Sequence, residues 1–298
     1  MPLFEVHQGE LVLFRRVYGG ADLYEKEIEN LLWSNLEEFT GDTLYPIARQ
    51  PKLPTGGIPD IVALDKSGRV VVLEVKRDID RRQLAQCLEY AGWARQTSLD
   101  GLAGMYHGGP TAFWEGWQEF TESATPVVVN PHPRLMLVAR EFQDRTRSAF
   151  EFLKENHVPV ALIRVTAYED EQGRRFIDVE GDHEPEFPAT GVGLEEFDYT
   201  KIGGSLIKIP DLIEGGLLRV GDNLVWERPR KGESYRAEIT ANGSIRLESG
   251  ESFTSPSRAA TEAAGIPAYD GWYAWKVERS GKTLDELRHD LHNRQEDE

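Results

Sequence analysis

The chain has 298 residues, is 40% hydrophobic and 29% charged, and carries a formal net charge of −17, a length that exceeds one compact core and suits two domains. No apolar run is long enough to span a bilayer, and acids and arginines interrupt the apolar start MPLFEVHQGELVLFRR, so neither a membrane protein nor a signal peptide is expected. The single cysteine, Cys87, excludes an internal disulfide framework and a cysteine zinc cluster, and a reduced cytoplasm is the expected compartment.

Leu11, Leu13, Phe14 and Val17 alternate with polar residues and predict one or two edge strands over residues 1–18. A helix follows over 22–39, with Asp22 as N-cap, Glu25 three residues on, and a stripe of Ile28, Leu31, Leu32 and Leu36. PKLPTGG at 51–57 is a loop. Residues 58–65 and 69–76 form two short strands joined by the turn Asp65-Lys66-Ser67-Gly68. A second helix covers 80–95, with Leu84, Leu88 and Ala91 on its apolar face. Residues 97–124 are rich in Gly and aromatics and predict an irregular helix-and-loop excursion. Then come a strand at 133–139, a helix at 144–156, a strand at 158–168 and a further strand at 174–180. Strand–helix–strand order implies an α/β sheet.

Residues 178–200 hold eight acids, Pro185 and Pro188, with no Lys or Arg, and read as a linker. Beyond it the pattern changes to a short helix at Pro210–Gly215, strands at 223–228, 235–241 and 244–249, a helix over Ser257–Ala264 and a final strand at 272–278. Gly221-Asp222, Asn242-Gly243 and Ser249-Gly250 mark turns. The expected organisation is thus an α/β domain at 1–180, an acidic linker at 181–207, a small α+β domain at 208–279 and a helical acidic tail at 280–298.

The chemistry-bearing residues sit on the first hairpin. Val70–Leu73 are all apolar, as in a strand buried on both faces. Glu74 and Lys76 follow two apart, so they share a face, while Val75 points the other way. Charges at the end of such a strand are out of place unless paired or functional. With Asp60 on the neighbouring strand, two carboxylates can hold Mg²⁺ or Mn²⁺, which take hard oxygen ligands, and the Val75 carbonyl can add a further one. Such an ion activates water and withdraws charge from a phosphate, and Lys76 orients the water or stabilises developing charge.

Asp60 with Glu74-Val75-Lys76 resembles the signature of the PD-(D/E)xK nuclease superfamily, whose fold is a restriction-endonuclease-like mixed sheet flanked by helices. A preceding helix with glutamates and the Gln86-x-x-x-Tyr90 pair on the following helix are similar to the nuclease domain of archaeal and actinobacterial mismatch endonucleases, over roughly residues 20–180. The resemblance implies a metal-dependent endonuclease, one metal contact from Glu25 or Glu29, and Gln86 and Tyr90 lining the site. Its partner would be DNA, in duplex, modified or non-duplex form, with a homodimer as one assembly. Arg77, Arg81 and Arg82 are candidate phosphate contacts; the alternative is a solvated helix face balanced by Asp78 and Asp80. Stretch 69–95 has six basic and four acidic residues, so a local basic groove survives in an acidic protein, with weak, salt-sensitive binding. The net charge favours a second reading, an inactive nuclease fold that only binds nucleic acid, and a nuclease acting on RNA is a third.

The segment from Leu212 to Glu278 resembles a RAMA domain, a module found beside restriction enzymes and adenine methylases. The matching features are LIEGGLLRVGD, the Ala-x-Ile-x-x-x-Gly-x-Ile strand pair, FTSPSRAA and the closing Gly-Trp-x-x-Trp. Ser255 and Ser257 at a helix start are candidate phosphate contacts or plain helix caps, and of Trp272 and Trp275, three apart on the expected strand, Trp275 is the candidate for base stacking. Residues 208–279 hold ten basic and eleven acidic residues, which does not advertise strong duplex binding. The aromatics of 97–124 read mainly as packing, and Cys87 as a small buried hydrophobe.

Overall fold

The computed structural model describes residues 3–7, 10–16, 25–79, 81–121, 125–142, 144–156, 158–169, 173–181, 201–202, 205–229, 231–266 and 268–296; for 3–16, 77–84, 201–205 and 295–296 the description is of backbone alone. The proposed cap Asp22, Val17 and most of the acidic stretch, 182–200, lie outside the described residues. The chain forms two compact units, Met1–Phe113 with Pro126–Phe187, and Trp114–Thr125 with Pro188–Glu298.

In chain order the first elements are β1 (Leu3–His7), β2 (Glu10–Arg16), α1 (Glu25–Ser34), α2 (Leu36–Thr40), β3 (Tyr45–Arg49), β4 (Ile61–Leu64), β5 (Arg69–Ile79) and α3 (Arg81–Gln96). They continue with α4 (Leu99–Met105), α5 (Gly109–Thr121), β6 (Asn130–Phe142), α6 (Asp144–Glu155), β7 (Val160–Glu169) and β8 (Arg175–Gly181). The strands make one mixed sheet in the order β1-β2-β7-β6-β5-β4-β3, with β8 paired to β7. β5, β6 and β7 run parallel and the other pairs are antiparallel. This is the α/β class expected, a mixed sheet flanked by helices.

The differences from expectation have local causes. The single helix expected over 22–39 is two, because Asn35 leaves helical geometry (φ −142°) and Gly41 ends α2 in the left-handed region (φ 73°). β3 was not expected; Pro46 sits at a bulge in its pairing with β4, which breaks the alternation a strand normally shows. The 97–124 excursion is two regular helices, α4 and α5, and Phe113, Trp117 and Phe120 are fully buried. Tyr45 is stacked on Tyr106 at 5.7 Å and donates its hydroxyl proton to the Phe113 carbonyl at 3.2 Å. The buried face of α3 is Cys87, Tyr90, Trp93 and Ala94, whereas Leu88 is 46% exposed. β8, Arg175–Gly181, matches the strand expected at 174–180, so Asp178 and Glu180, which also fell in the acidic stretch read as linker, are strand.

The hairpin β4–β5 is set by its turn. Asp65 Oδ1 accepts from Ser67 N–H (2.9 Å), Ser67 Oγ–H (2.7 Å) and Arg69 N–H (3.0 Å), and Oδ2 pairs with Arg69 Nε at 2.7 Å. Gly68 takes φ 79°, which a side chain would resist. The turn imposes the register Leu64↔Val70 to Ile61↔Leu73, and one step further places Asp60 beside Glu74. Val71, Leu73 and Val75 share a core cluster with Ile28 and Leu32 of α1. Glu74 and Lys76 therefore face the other side of the sheet, where α3 packs.

The second unit holds β9 (Lys201–Ile202), β10 (Ser205–Leu206), α7 (Ile209–Glu214), β11 (Asn223–Arg228), β12 (Glu233–Ile239), β13 (Ile245–Leu247) and β14 (Ser252–Phe253), then α8 (Pro256–Ala264), α9 (Gly271–Ala274), β15 (Lys276–Val277) and α10 (Leu284–Glu296). Its five-stranded sheet has the order β14-β13-β12-β11-β15. Its core combines Leu212, Leu224, Ile239 and Ile245 with Trp272, Trp275 and, from α10, Leu284, Leu287 and Leu291. Only Lys276 and Val277 of the strand expected at 272–278 are strand; Asp270 caps the short helix α9 by accepting from Trp272 N–H at 3.0 Å.

The turn before β11 carries a two-point ion pair. Asp222 accepts from Arg219 N–H at 2.9 Å and from the Arg279 guanidinium at 3.1 and 2.9 Å. The Arg279 hydrogen bond is the main reason its carboxyl is held below the ordinary value of 3.8. A depressed carboxylate stabilises the fold above its unfolded pKa, and that contribution is lost as pH falls through the folded value. The stability difference between wild type and Arg279→Leu is therefore expected to stay constant near neutrality and to shrink in acid below about pH 4. Denaturant titrations across that range check it.

Candidate active site

Asp60, Glu74 and Lys76 meet at the open end of the hairpin. Lys76 Nζ lies 2.9 Å from Glu74 Oε1 and 3.8 Å from Asp60 Oδ2. Asp60 Oδ2 accepts the Val75 N–H at 2.8 Å, and Glu74 Oε2 receives the Asp60 N–H at 3.4 Å. The Glu74 side chain is only 3% exposed, those of Asp60 and Lys76 16% and 23%. One ammonium thus bridges two largely buried carboxylates.

The charge balance follows from that geometry. Burial raises the Asp60 carboxyl above 3.8, opposed by the Val75 hydrogen bond and Lys76 and reinforced by Glu29 and Glu25. Burial, then the Asp60 charge, raises Glu74 above 4.5, with Lys76 opposing. Burial works against the Lys76 ammonium, but the Glu74 hydrogen bond and the charges of Glu74, Asp60 and Glu25 outweigh it and hold Lys76 above the ordinary lysine value. The site is an under-compensated pair of carboxylates with a firmly protonated lysine.

Such a donor set fits a divalent ion. Two hard oxygen groups that repel one another gain from a shared cation, and Mg²⁺ commonly takes one or two carboxylates with water and phosphate oxygens. Among the described residues no group of three or more His, Cys, Asp and Glu is gathered as a metal array. The third carboxylate expected from α1 is not gathered with the pair. Glu25 is exposed, and its charge acts on Asp60 and Lys76. Glu29 is 3% exposed and held by Arg49 (2.6 and 3.2 Å), Lys26 (3.1 Å) and Gln50 Nε2 (3.0 Å).

α3 turns Tyr90 and Cys87 toward the site. Tyr90 is buried, its hydroxyl bonds the Ile58 backbone, and burial and the Glu74 charge push its pKa up to about 12. A Cβ on Gly57 would lie 2.6 Å from the Tyr90 ring, so only glycine lets this loop close over the tyrosine. Burial and Glu74 likewise push the Cys87 thiol up to about 12, keeping it neutral. Gln86 is exposed on α3. Arg77 lies in β5 and Arg81 and Arg82 open α3, but their side chains lie outside the described residues. Arg49, Gln50 and the backbone of Ile58 were missed from sequence; the Arg-Gln pair ahead of the PKLPTGG loop was the available signal.

The three C-terminal candidates are committed elsewhere. Ser255 is 4% exposed and caps α8, accepting from Arg258 N–H at 3.0 Å. Ser257 is 7% exposed and accepts from Gly271 N–H at 3.1 Å. Trp275 is fully buried and donates Nε1–H to the Pro256 carbonyl at 3.1 Å. The expectation of phosphate contacts and an exposed stacking ring is corrected: these groups close the α8–α9 junction.

A family model matches residues 196–297, that of RAMA, Restriction Enzyme Adenine Methylase Associated. Residues 196–297 form a RAMA domain. The RAMA match includes the segment of α10, whose leucines lie in the same core. Comparison with curated proteins finds no match. Among solved structures the chain is similar to a repair endonuclease from Pyrococcus abyssi, at 22% identity over 45% of this chain and 46% of that one, with a TM-score of 0.29. It is also similar to EndoMS in complex with double-stranded DNA (18%, 54% and 63%, TM-score 0.29) and to P. aeruginosa NucC in its cAAA-bound form (14%, 52% and 70%, TM-score 0.23). The chain spans less than two thirds of the first two of these structures.

Proposed function

We propose that the chain is a metal-dependent DNA endonuclease with a PD-(D/E)xK-type site, directed to its substrate by the RAMA domain. The observation that carries this reading is the Lys76 ammonium shared between the buried Glu74 and Asp60 at one end of a hairpin. Charged groups in such a place cost desolvation and persist for a function or a network that compensates them. Asp60, Glu74 and the Val75 carbonyl would hold Mg²⁺ or Mn²⁺, which when bound supplies an activated water and charge withdrawal from the phosphate. Lys76, kept protonated by its neighbours, hydrogen-bonds the attacking water or the developing oxyanion. Gln86, exposed on α3, would touch substrate, whereas Tyr90 is committed to the loop that carries Asp60. Arg77, from the end of β5, and Arg81 and Arg82, from the start of α3, would contact the DNA backbone. The name of the RAMA family, which couples restriction enzymes and adenine methylases, makes DNA the favoured nucleic acid.

Purified protein with Mg²⁺ or Mn²⁺ is expected to cut at least one of single-stranded, branched, mismatched or modified duplex DNA, and Asp60→Asn to abolish the cutting without unfolding the chain. No cutting of any of these, together with calorimetric titration showing no Mn²⁺ binding, would instead support the binder reading that the net charge of −17 favours.

A further inference from the structure

We infer that Gln50 is a positioning residue for Asp60, fixing the backbone that delivers the carboxylate to Val75 and tying it to the buried Glu29. The inference rests on the catalytic reading of Asp60. Gln50 is the one non-glycine residue with positive φ (46°) among the described residues. A side chain in the left-handed region is strained, and glycine or asparagine is the usual occupant. Strain of this kind persists where surrounding contacts over-determine the conformation, often beside a functional site. Both halves of Gln50 are so held. Its N–H donates to the Asp60 carbonyl at 2.8 Å, one step past the Arg49↔Ile61 pair of β3 and β4. Its Nε2 donates to Glu29 Oε2 at 3.0 Å.

Glu29 is a firm anchor. Arg49 grips it at 2.6 and 3.2 Å, bonds Asn30 Oδ1 at 2.7 Å and lies over the Trp33 ring at 5.7 Å. The resulting chain of contacts runs from α1 through Glu29 and Gln50 to Asp60, and on to the Val75 N–H and Lys76. In this arrangement the α1 carboxylate acts on Asp60 through Gln50 rather than as a ligand beside it. Gln50 itself is exposed, so replacing it opens no cavity.

The test is Gln50→Gly, which relieves the strain and removes the tether, with Gln50→Asn as a second variant that tolerates the same backbone but is one methylene too short. Both are expected to keep or raise the melting temperature. Mn²⁺ affinity by calorimetry should fall about 10–100-fold, the scale of lost outer-shell support, and kcat should fall with KM for DNA unchanged. The Val75 amide, whose partner is Asp60 Oδ2, should exchange with solvent faster than its neighbours in β5. If both variants keep wild-type Mn²⁺ affinity and Val75 exchange, the inference is wrong. If Val75 exchange merely follows a general loss of stability, Gln50 is structural and the inference is equally wrong. If the wild-type protein neither binds Mn²⁺ nor cuts, the catalytic reading falls, while the Val75 exchange still decides whether Gln50 positions Asp60.

Discussion

Lys76→Met is expected to lower DNA cutting by about 10²–10³-fold, the effect of removing one donor aimed at developing charge, and to make the metal-free protein sensitive to alkali. The ammonium is the group that joins both carboxylates. Without it, Asp60 and Glu74 remain buried beside one another, each already raised above its ordinary value, first by burial. A carboxyl whose folded pKa is raised favours the fold below its unfolded pKa and loses that contribution as pH rises through the folded value. The variant should therefore approach wild-type stability in acid. At neutral pH it should fall short by up to about 3 kcal/mol, the lower range for breaking a buried charge set, since the lysine is partly exposed. Adding Mn²⁺ should restore most of that stability while leaving cutting low. Unfolding curves with and without the ion at several pH values, beside a plasmid-nicking assay, check both halves.

Trp275→Ala should destabilise the RAMA unit by about 3–5 kcal/mol, the usual cost of emptying a buried tryptophan site. Trp275 is fully buried: it meets Trp226 edge-on at 6.1 Å and bonds the Pro256 carbonyl. A surface stacking residue would change stability by only about 0.5 kcal/mol when truncated, so denaturant unfolding separates the two roles. Trp275→Phe should cost less, keeping most of the packing and losing the N–H donor. The junction has no slack, because a Cβ on Gly271 would lie 2.0 Å from the Pro256 carbonyl.

The β4–β5 hairpin was legible because three local signals agree: apolar runs, an Asp-x-Ser-Gly turn and charges only at the far end. The same agreement made the Asp60, Glu74 and Lys76 trio readable at once. Gln50 was not, because its role lies in a backbone angle and in a partner 21 residues away on α1. The α1 glutamates could not be separated from their four-residue spacing; only burial and the Arg49 pair tell them apart. Trp272 and Trp275 invited a strand, since aromatics favour strands, yet their spacing of three also suits a helical turn, and Asp270-Gly271 was the overlooked cap. The apolar face of α3 was misjudged because Leu88 is apolar without being buried, whereas Cys87 and Tyr90, weaker as hydrophobic signals, form the packed side.

The Asp65 turn has a consequence for what the hairpin can tolerate. Hairpin tips usually accept an added residue with little effect. Here β4 and the facing part of β5 are apolar on both faces, so their side chains give little resistance to sliding by one rung. Alignment of the reactive trio is therefore delegated to a turn about 16 Å away, five residues of extended strand from Asp60. A single inserted residue at Lys66 or Ser67, with the turn kept at its present size, would set Asp60 against Leu73 instead of Glu74 and turn the acid and the lysine out of reach, leaving a well-packed sheet with nothing to do.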